Sequence, residues 1–192
     1  MTAQHGFTLD AVEWAAWLET VDPATLTPEQ IEVLKESTPT ALTSPYYLLL
    51  VHDVAALRER SRLFNRVMYA PRGLARADRE LSTVAVSRIN GCVYCASVHS
   101  RLYAQLTHRP ETMQKIFDEG IETELNERER AIVDYAAKLT RDPEGATTAD
   151  LVPLRQIGLS DQEILDLTHA VAMFAWANRL LQTLGEVVRP AA

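Results

Sequence analysis

The sequence predicts an all-α protein, and three observations support that fold class. Helix-start signals recur along the chain, and the clearest is Thr27 with Pro28 and Gln30, which provide an N-cap, a first-turn proline and a capping-box residue. Between such starts, apolar residues recur at the three- and four-residue spacing of a helix. No segment alternates strongly enough to predict a strand, although the Val-rich stretch 82–86 is a weak candidate. With 192 residues, 47% of them hydrophobic, the chain is long enough for one well-buried core.

The predicted helices follow one another with short breaks. Asp10 is expected to cap a first helix that carries Trp14, and Thr27 starts the next one. Asn90-Gly91 ends a central helix, because both residues tolerate the left-handed conformation of a helix end. The remaining helices are expected at about 46–69 (after a Ser44-Pro45 start), 77–89, 92–106, 110–119, 126–140, 148–157 and 161–185, with caps at Asn126, Thr148 and Ser160.

The charge balance argues against several classes of partner. The formal net charge is -7 and the pI is about 5.2, so the chain should repel the phosphates of nucleic acid. No basic cluster is present that an anionic membrane surface would attract. The first residues have neither the basic nor the apolar region of a signal peptide, and no apolar run reaches the roughly 20 residues of a membrane span. We therefore expect a soluble, cytoplasmic protein.

The chain has two cysteines, and they form a Cys-x-x-Cys pair at Cys92 and Cys95. Cys92 directly follows Asn90-Gly91 and so lies in the first turn of the next helix, where unpaired N–H groups and the helix dipole favour a thiolate. His99 is four residues beyond Cys95, which places both thiols and the imidazole on one helical face. A dithiol beside a base can be oxidised to a disulfide and reduced again.

Glu80 is the candidate partner of His99. If the helices over 77–89 and 92–106 form an antiparallel hairpin, Glu80 lies ~15 Å and His99 ~10 Å from the turn, at about 1.5 Å per residue. The two side chains would then lie at similar levels. A carboxylate in that position could orient the imidazole for proton transfer.

Other interpretations of these residues compete with redox chemistry. Two buried thiols can simply pack, and Glu80, Cys92, Cys95 and His99 could bind zinc, although zinc sites usually draw further ligands from a second loop. A c-type haem requires His directly after the second cysteine, where Ala96 stands, and a thioredoxin site requires a strand-helix-strand context. Five other polar residues in apolar helices are expected to be structural: His52, His108, His169, Asn178 and Arg179.

The pattern Glu80-x11-Cys92-x2-Cys95-x3-His99 resembles, spacing for spacing, that of the AhpD-like alkylhydroperoxidases of the carboxymuconolactone decarboxylase superfamily. The close match covers about residues 45–107. Residues 158–181 are similar to the C-terminal helix of the peroxidase-related branch of that superfamily. The resemblance implies an AhpD-like helical bundle, with an N-terminal helical arm over 1–40 and the redox domain over 41–192.

The resemblance also implies thiol-dependent reduction of hydroperoxides. Cys95 would attack the peroxide, Cys92 would supply a proton and close the disulfide, and His99 with Glu80 would relay protons. No metal, haem or other cofactor would be required. The partners would be an organic hydroperoxide or hydrogen peroxide, a dithiol protein or small thiol as reductant, and further copies of the chain in a trimer or hexamer.

In two respects the residues of this chain do not fit the roles that the resemblance implies. Tyr94 stands where the founding enzyme of the family has a second His, so one member of its proton relay is missing. The residues alone would select Cys92 as the low-pKa thiol, whereas the resemblance selects Cys95 as the attacking one. A non-enzymatic redox sensor and a lactone decarboxylase-like lyase are the alternative functions, although the decarboxylase branch lacks the cysteine pair.

Overall fold

A computed structural model gives the structure of the protein and describes residues 6–189. Helices dominate it, so the all-α prediction is confirmed, with one small sheet added. The elements in chain order are strand β1 (Glu13–Ala16), helices α1 (Pro28–Ser37), α2 (Pro45–Leu50), α3 (Val54–Tyr69), α4 (Arg76–Asn90), α5 (Val93–Thr107), α6 (Pro110–Glu119), α7 (Glu127–Arg141), α8 (Val152–Gln156) and α9 (Asp161–Thr183), and strand β2 (Gly185–Val188). No helix within residues 6–189 is both long enough and apolar enough to cross a membrane.

Helix α4 forms the centre of the bundle. Every residue from Asp78 to Ser87 is buried, because α4 packs against α5, α7 and α9. A helix that is covered on all sides needs no polar face, which explains why the stretch 82–86 has no clear helical periodicity. The weak strand candidate at 82–86 is therefore wrong, and these residues are the most central part of the core.

The predicted first helix after Asp10 is also wrong. Residues Glu13–Ala16 form β1, which pairs antiparallel with β2 so that Trp14 lies opposite Val187. Gly185 permits this close approach, since a Cβ atom there would collide with the ring of Trp14 and the carbonyl of Ala15. The Trp14 indole N–H donates to the Leu181 carbonyl at 2.9 Å, which holds the strand pair against the end of α9. The last helix accordingly ends at residue 183, two residues earlier than predicted.

Two predicted helices are divided. The run 46–69 is interrupted after α2, because the Asp53 side chain accepts a backbone hydrogen bond and starts α3 as a new helix. The helix predicted at 148–157 is a 3-10 turn followed by α8. Pro153 has no N–H for an α-helical bond to the preceding turn, and the cap is Thr147 instead of Thr148. The other predicted helices are confirmed, as are the caps at Thr27, Asn126 and Ser160.

Candidate functional site

The turn between α4 and α5 places the two cysteines. Gly91 adopts the left-handed conformation at φ 76°, and its N–H bonds back to the Ser87 carbonyl, which closes α4. Cys92 is the N-cap of α5, and Cys95 lies one turn into that helix. Both thiols are free and almost fully buried, with 2% and 3% of their surface exposed. The predicted helical hairpin with the dithiol at its turn is confirmed.

The surroundings of the two thiols push their pKa values apart. Hydrogen bonding from the Cys95 thiol is the main reason that the pKa of Cys92 lies below its usual value; burial opposes it, and the Cys95 backbone N–H adds to it. Burial raises the pKa of Cys95 well above its usual value, and the adjacent Cys92 sulfur raises it further. The direction agrees with the expectation that Cys92 is the thiol of lower pKa, but its main cause is the Cys95 thiol and not the start of the helix.

Asn178 contacts the dithiol from helix α9, and the sequence analysis missed this contact. Its Oδ1 accepts from Asn90 Nδ2 at 3.0 Å, and its Nδ2 donates to Ser87 Oγ at 3.1 Å. Hydrogen bonding of this fully buried amide also lowers the pKa values of both thiols. The structural role expected for Asn178 is present in its hydrogen bonds to Asn90 and Ser87, and the amide also stabilises the thiolate forms of the two cysteines. A lone amide just after the apolar run 170–177 was the available signal.

Glu80 and His99 form a buried pair, as predicted from their similar distances from the hairpin turn. The Glu80 Oε2 lies 2.5 Å from His99 Nδ1, and Arg76 contacts the other oxygen of the same carboxylate. Burial alone would raise the pKa of Glu80, but His99 and Arg76 outweigh burial, and the net pKa is lowered. An ionised carboxylate can only accept, so Nδ1 is the donor, and Nε2 is the nitrogen that can exchange a proton. Among residues 6–189, Nε2 has no hydrogen-bond partner.

Cys95 and His99 open onto the same cavity, which has a volume of about 170 Å³. The edge of the Phe174 ring meets the imidazole at a centroid distance of 4.5 Å. Tyr94, the residue that departs from the family pattern, also lines this cavity, and burial raises its pKa to about 12. Cys92 lies on a separate hollow beneath β1 and β2, beside Trp14 and Leu181. The two cysteines therefore line different hollows, which Tyr94 and Leu181 both border.

The four candidate residues do not form a metal site. Within residues 6–189, no group of three or more His, Cys, Asp or Glu side chains is arranged to hold a metal ion, and both Glu80 oxygens are occupied by His99 and Arg76. The other histidines of the described residues lie away from the dithiol cavity: His52 contacts the Glu19 carbonyl, His108 ends α5 in the left-handed conformation, and His169 is exposed.

Comparisons with known proteins agree with this geometry. A family model for the carboxymuconolactone decarboxylase family matches residues 55–138, which include all four candidate residues. An alkylhydroperoxidase AhpD core, a peroxidase-related protein from Ralstonia eutropha, is 24% identical and superimposes with a TM-score of 0.77 over 88% of this chain and 90% of its own. A peroxidase-related protein from a Silicibacter species is 25% identical, with a TM-score of 0.70 over 86% of this chain and 88% of its own.

The same fold also occurs in a protein with another name. The debrominase Bmp8 is 16% identical, with a TM-score of 0.71 over 88% of this chain and 90% of its own, a likeness that concerns the fold alone. No curated protein matches the chain. Over residues 55–138, which include the dithiol hairpin, the chain is therefore similar to the carboxymuconolactone decarboxylase family, and its helical bundle is similar to that of AhpD-like, peroxidase-related proteins.

Proposed function

We propose that the protein is a thiol-dependent peroxidase that reduces a small hydroperoxide while its dithiol becomes a disulfide. One observation carries the proposal: the Cys95 thiol and the carboxylate-bonded His99 share one small cavity, with Cys92 directly behind Cys95. A nucleophile, a proton carrier and a resolving thiol are the groups that this reaction needs.

The unequal pKa values give the two thiols different roles in the reaction. Cys92 loses the first proton, because the Cys95 S–H bond stabilises its thiolate. The proton of Cys95 then passes along that hydrogen bond to Cys92, and the charge appears on the sulfur that faces the cavity. Cys92 thus holds the charge at rest and becomes the acid beside the reacting sulfur, whereas Cys95 becomes the nucleophile.

The bonds and electrons of the cycle balance. The Cys95 thiolate attacks the outer peroxide oxygen, the O–O bond breaks, and Cys95 sulfenic acid forms. The departing alkoxide takes the proton of Cys92 and leaves as an alcohol. The Cys92 thiolate then attacks the sulfenic sulfur, and hydroxide leaves as water with a proton delivered through His99. In sum, one dithiol and one hydroperoxide yield one disulfide, one alcohol and one water.

Glu80 and Arg76 act on His99 in this scheme without touching the substrate. The Glu80 carboxylate fixes the proton at Nδ1, which leaves Nε2 to exchange protons inside the cavity. His99 itself and then Arg76, whose guanidinium contacts the second oxygen, lower the pKa of that carboxylate and keep it ionised. An external dithiol then reduces the disulfide, and the assembly into trimers or hexamers stays a prediction from the resemblance.

Thiol counting with tert-butyl hydroperoxide tests the proposal. Reduced wild-type protein should lose both thiols to one equivalent of peroxide and should turn over with dithiothreitol. Cys95→Ser should do neither, and Cys92→Ser should stop at a sulfenic acid that dimedone traps on Cys95. If Cys92→Ser is inert and Cys95→Ser forms the sulfenic acid, the two roles are reversed.

The alternatives give different results in the same experiment. A redox sensor would lose both thiols once but would not turn over with dithiothreitol. A lactone lyase would keep its activity when both cysteines are replaced by Ser. Thiols of the wild type that survive excess peroxide would overturn the peroxidase proposal and leave the fold unaffected.

A further inference from the structure

Arg60 is a buried cation on α3 that lines the dithiol cavity. Only 8% of its surface is exposed, and its Nη1 donates to the Tyr47 hydroxyl at 3.1 Å. Its guanidinium carbon lies 4.4 Å from the centre of the Phe64 ring and 5.3 Å from that of Tyr47. Within the described part of the chain, no carboxylate lies within ion-pair distance of Arg60. The buried Arg79 and the half-buried Arg76, in contrast, each contact an acidic side chain.

This cation keeps its charge without an anionic partner. Burial tends to lower the pKa of Arg60, but the neighbouring hydroxyls of Tyr47 and Tyr46 raise it above the usual value. A buried charge is costly unless it is paired, and cation–π contacts with aromatic rings recover only part of that cost. The protein therefore holds a desolvated positive charge at the wall of the dithiol cavity, where it can attract an anion.

Tyr46 supplies a second unsatisfied group on the same wall. Its ring lines the cavity, 5% of its surface is exposed, and among residues 6–189 its buried hydroxyl has no hydrogen-bond partner. Buried hydroxyls without a hydrogen-bond partner are uncommon, and this one lies within the electrostatic reach of the Arg60 guanidinium. A hydroxyl donor beside a guanidinium is a set that suits a carboxylate oxygen.

The rest of the cavity is small and carries no negative charge. Phe64, Val98, Leu102 and Phe174 form its apolar part, the hydroxyl-bearing Ser37, Thr38, Thr40 and Ser44 also line it, and no acidic side chain of the described residues does so. The volume of about 170 Å³ exceeds the roughly 150 Å³ of an engineered apolar cavity that accepts benzene. The space therefore suits a single ring or short alkyl group that carries one anionic head.

We propose that the cavity binds a small organic carboxylate, with its head group on Arg60 and Tyr46 and its apolar body against Phe64 and Phe174. Because Cys95 and His99 line the same cavity, the bound molecule lies beside the dithiol. On the basis of the proposed peroxidase function, the preferred substrate is then a hydroperoxide that carries a carboxylate. Arg60 and Tyr46 determine this preference.

Calorimetric titration with benzoate and with benzyl alcohol, its neutral counterpart, tests the binding site without any turnover. The reduced wild type should bind benzoate at least about tenfold more tightly, the factor expected for a charged hydrogen bond. Arg60→Met should abolish the preference and leave benzyl alcohol binding within about twofold. Arg58→Met, on the same helix but outside the cavity, is the matched control and should bind like the wild type.

A second variant and a competition experiment test the proposal even if Arg60→Met does not fold. Tyr46→Phe removes only the hydroxyl and should weaken benzoate several-fold, to the extent of one hydrogen bond. Inorganic phosphate has no apolar body and should compete with benzoate only at much higher concentration. Equal affinity of the wild type for benzoate and benzyl alcohol, or equal competition by phosphate, would overturn the carboxylate site.

The substrate preference is tested separately. The wild type should have a kcat/KM at least about tenfold higher for a carboxylate-bearing hydroperoxide than for its methyl ester, and Arg60→Met should equalise them. Benzoate binding without reaction of any hydroperoxide would refute the peroxidase function and leave the carboxylate site intact. Turnover with equal kcat/KM for acid and ester would refute the preference alone.

Discussion

The replacement Glu80→Gln is the sharpest test of the proton relay. The two side chains have nearly the same shape, so the change removes the charge and keeps the volume. In the wild type the buried carboxylate receives charged hydrogen bonds from His99 and Arg76, but only the His99 bond leads toward the cavity. The variant replaces that charged acceptor with a neutral amide, which holds a protonated imidazole less strongly.

The expected loss of rate follows from that single bond. A hydrogen bond to a charged group contributes about 1.5–3 kcal/mol, and about 1.4 kcal/mol corresponds to a tenfold change in rate. If the bond acts when His99 carries the proton, kcat/KM should fall by about 10- to 150-fold. This range overlaps the loss that general acid–base catalysis predicts, about 10²- to 10⁴-fold.

The assay is dithiothreitol-dependent reduction of tert-butyl hydroperoxide at pH 7, beside a thermal melt. Glu129→Gln is the matched control, because Glu129 is also buried and bonds Tyr103 and Arg109, both at 2.7 Å, away from the dithiol cavity. Both variants should lose stability, by about 1–3 kcal/mol, but only Glu80→Gln should lose activity. A Glu80→Gln enzyme within twofold of the wild type, or an equal loss in Glu129→Gln, would refute the relay.

Three further predictions concern stability and thiol ionisation. The folded protein lowers the pKa of Glu80 from its ordinary 4.5, so the carboxylate contributes stability above about pH 4.5 that is lost as the pH falls. In urea titrations, the difference in unfolding free energy between the wild type and Glu80→Gln should therefore shrink from pH 6 to pH 3. A constant difference would contradict this prediction. Asn178→Leu should shift alkylation of Cys92 by iodoacetamide to higher pH, because the amide no longer supports the thiolate; an unchanged pH profile would show that Asn178 only packs. Gly91→Ala should lower the free energy of unfolding by about 1–2 kcal/mol, because alanine is strained in the left-handed backbone conformation. Gly73→Ala should lower it further, because its Cβ would also collide with the Asp166 carboxylate. Equal melting temperatures of the two variants would contradict this order.

The sequence was sufficient for the helical hairpin because its determinants are local. Gly91 ends one helix, Cys92 caps the next, and the rise per residue brings Glu80 and His99 to one level. The capping boxes at Asn126 and Ser160 likewise lie within four residues. Information of this range can be read along the chain without knowledge of the tertiary structure.

The features that were missed depend on contacts between distant segments. Trp14 has apolar neighbours at helical spacing, and only pairing with Val187 turns its segment into a strand. Asn178 reaches the thiols from a helix more than 80 residues away, and its Asn90 and Ser87 contacts could not be inferred from spacing. In the sequence, Arg60 is one of several arginines in an amphipathic run. Only the tertiary structure shows that it is buried and lines the same cavity as Tyr46 and Cys95.

The strand pair over Cys92 has a consequence for how the disulfide is reduced. The two strands pair only with each other and are anchored to the bundle chiefly through Trp14, so β1 and β2 should separate at a lower free-energy cost than the whole helical bundle unfolds. Separation would uncover the hollow beside Cys92, which the strands line, whereas Cys95 lines the substrate cavity. The rate of disulfide reduction would then follow local opening of the ribbon, which amide hydrogen exchange at Ala15 and Glu186 reports, because their N–H groups point at the partner strand.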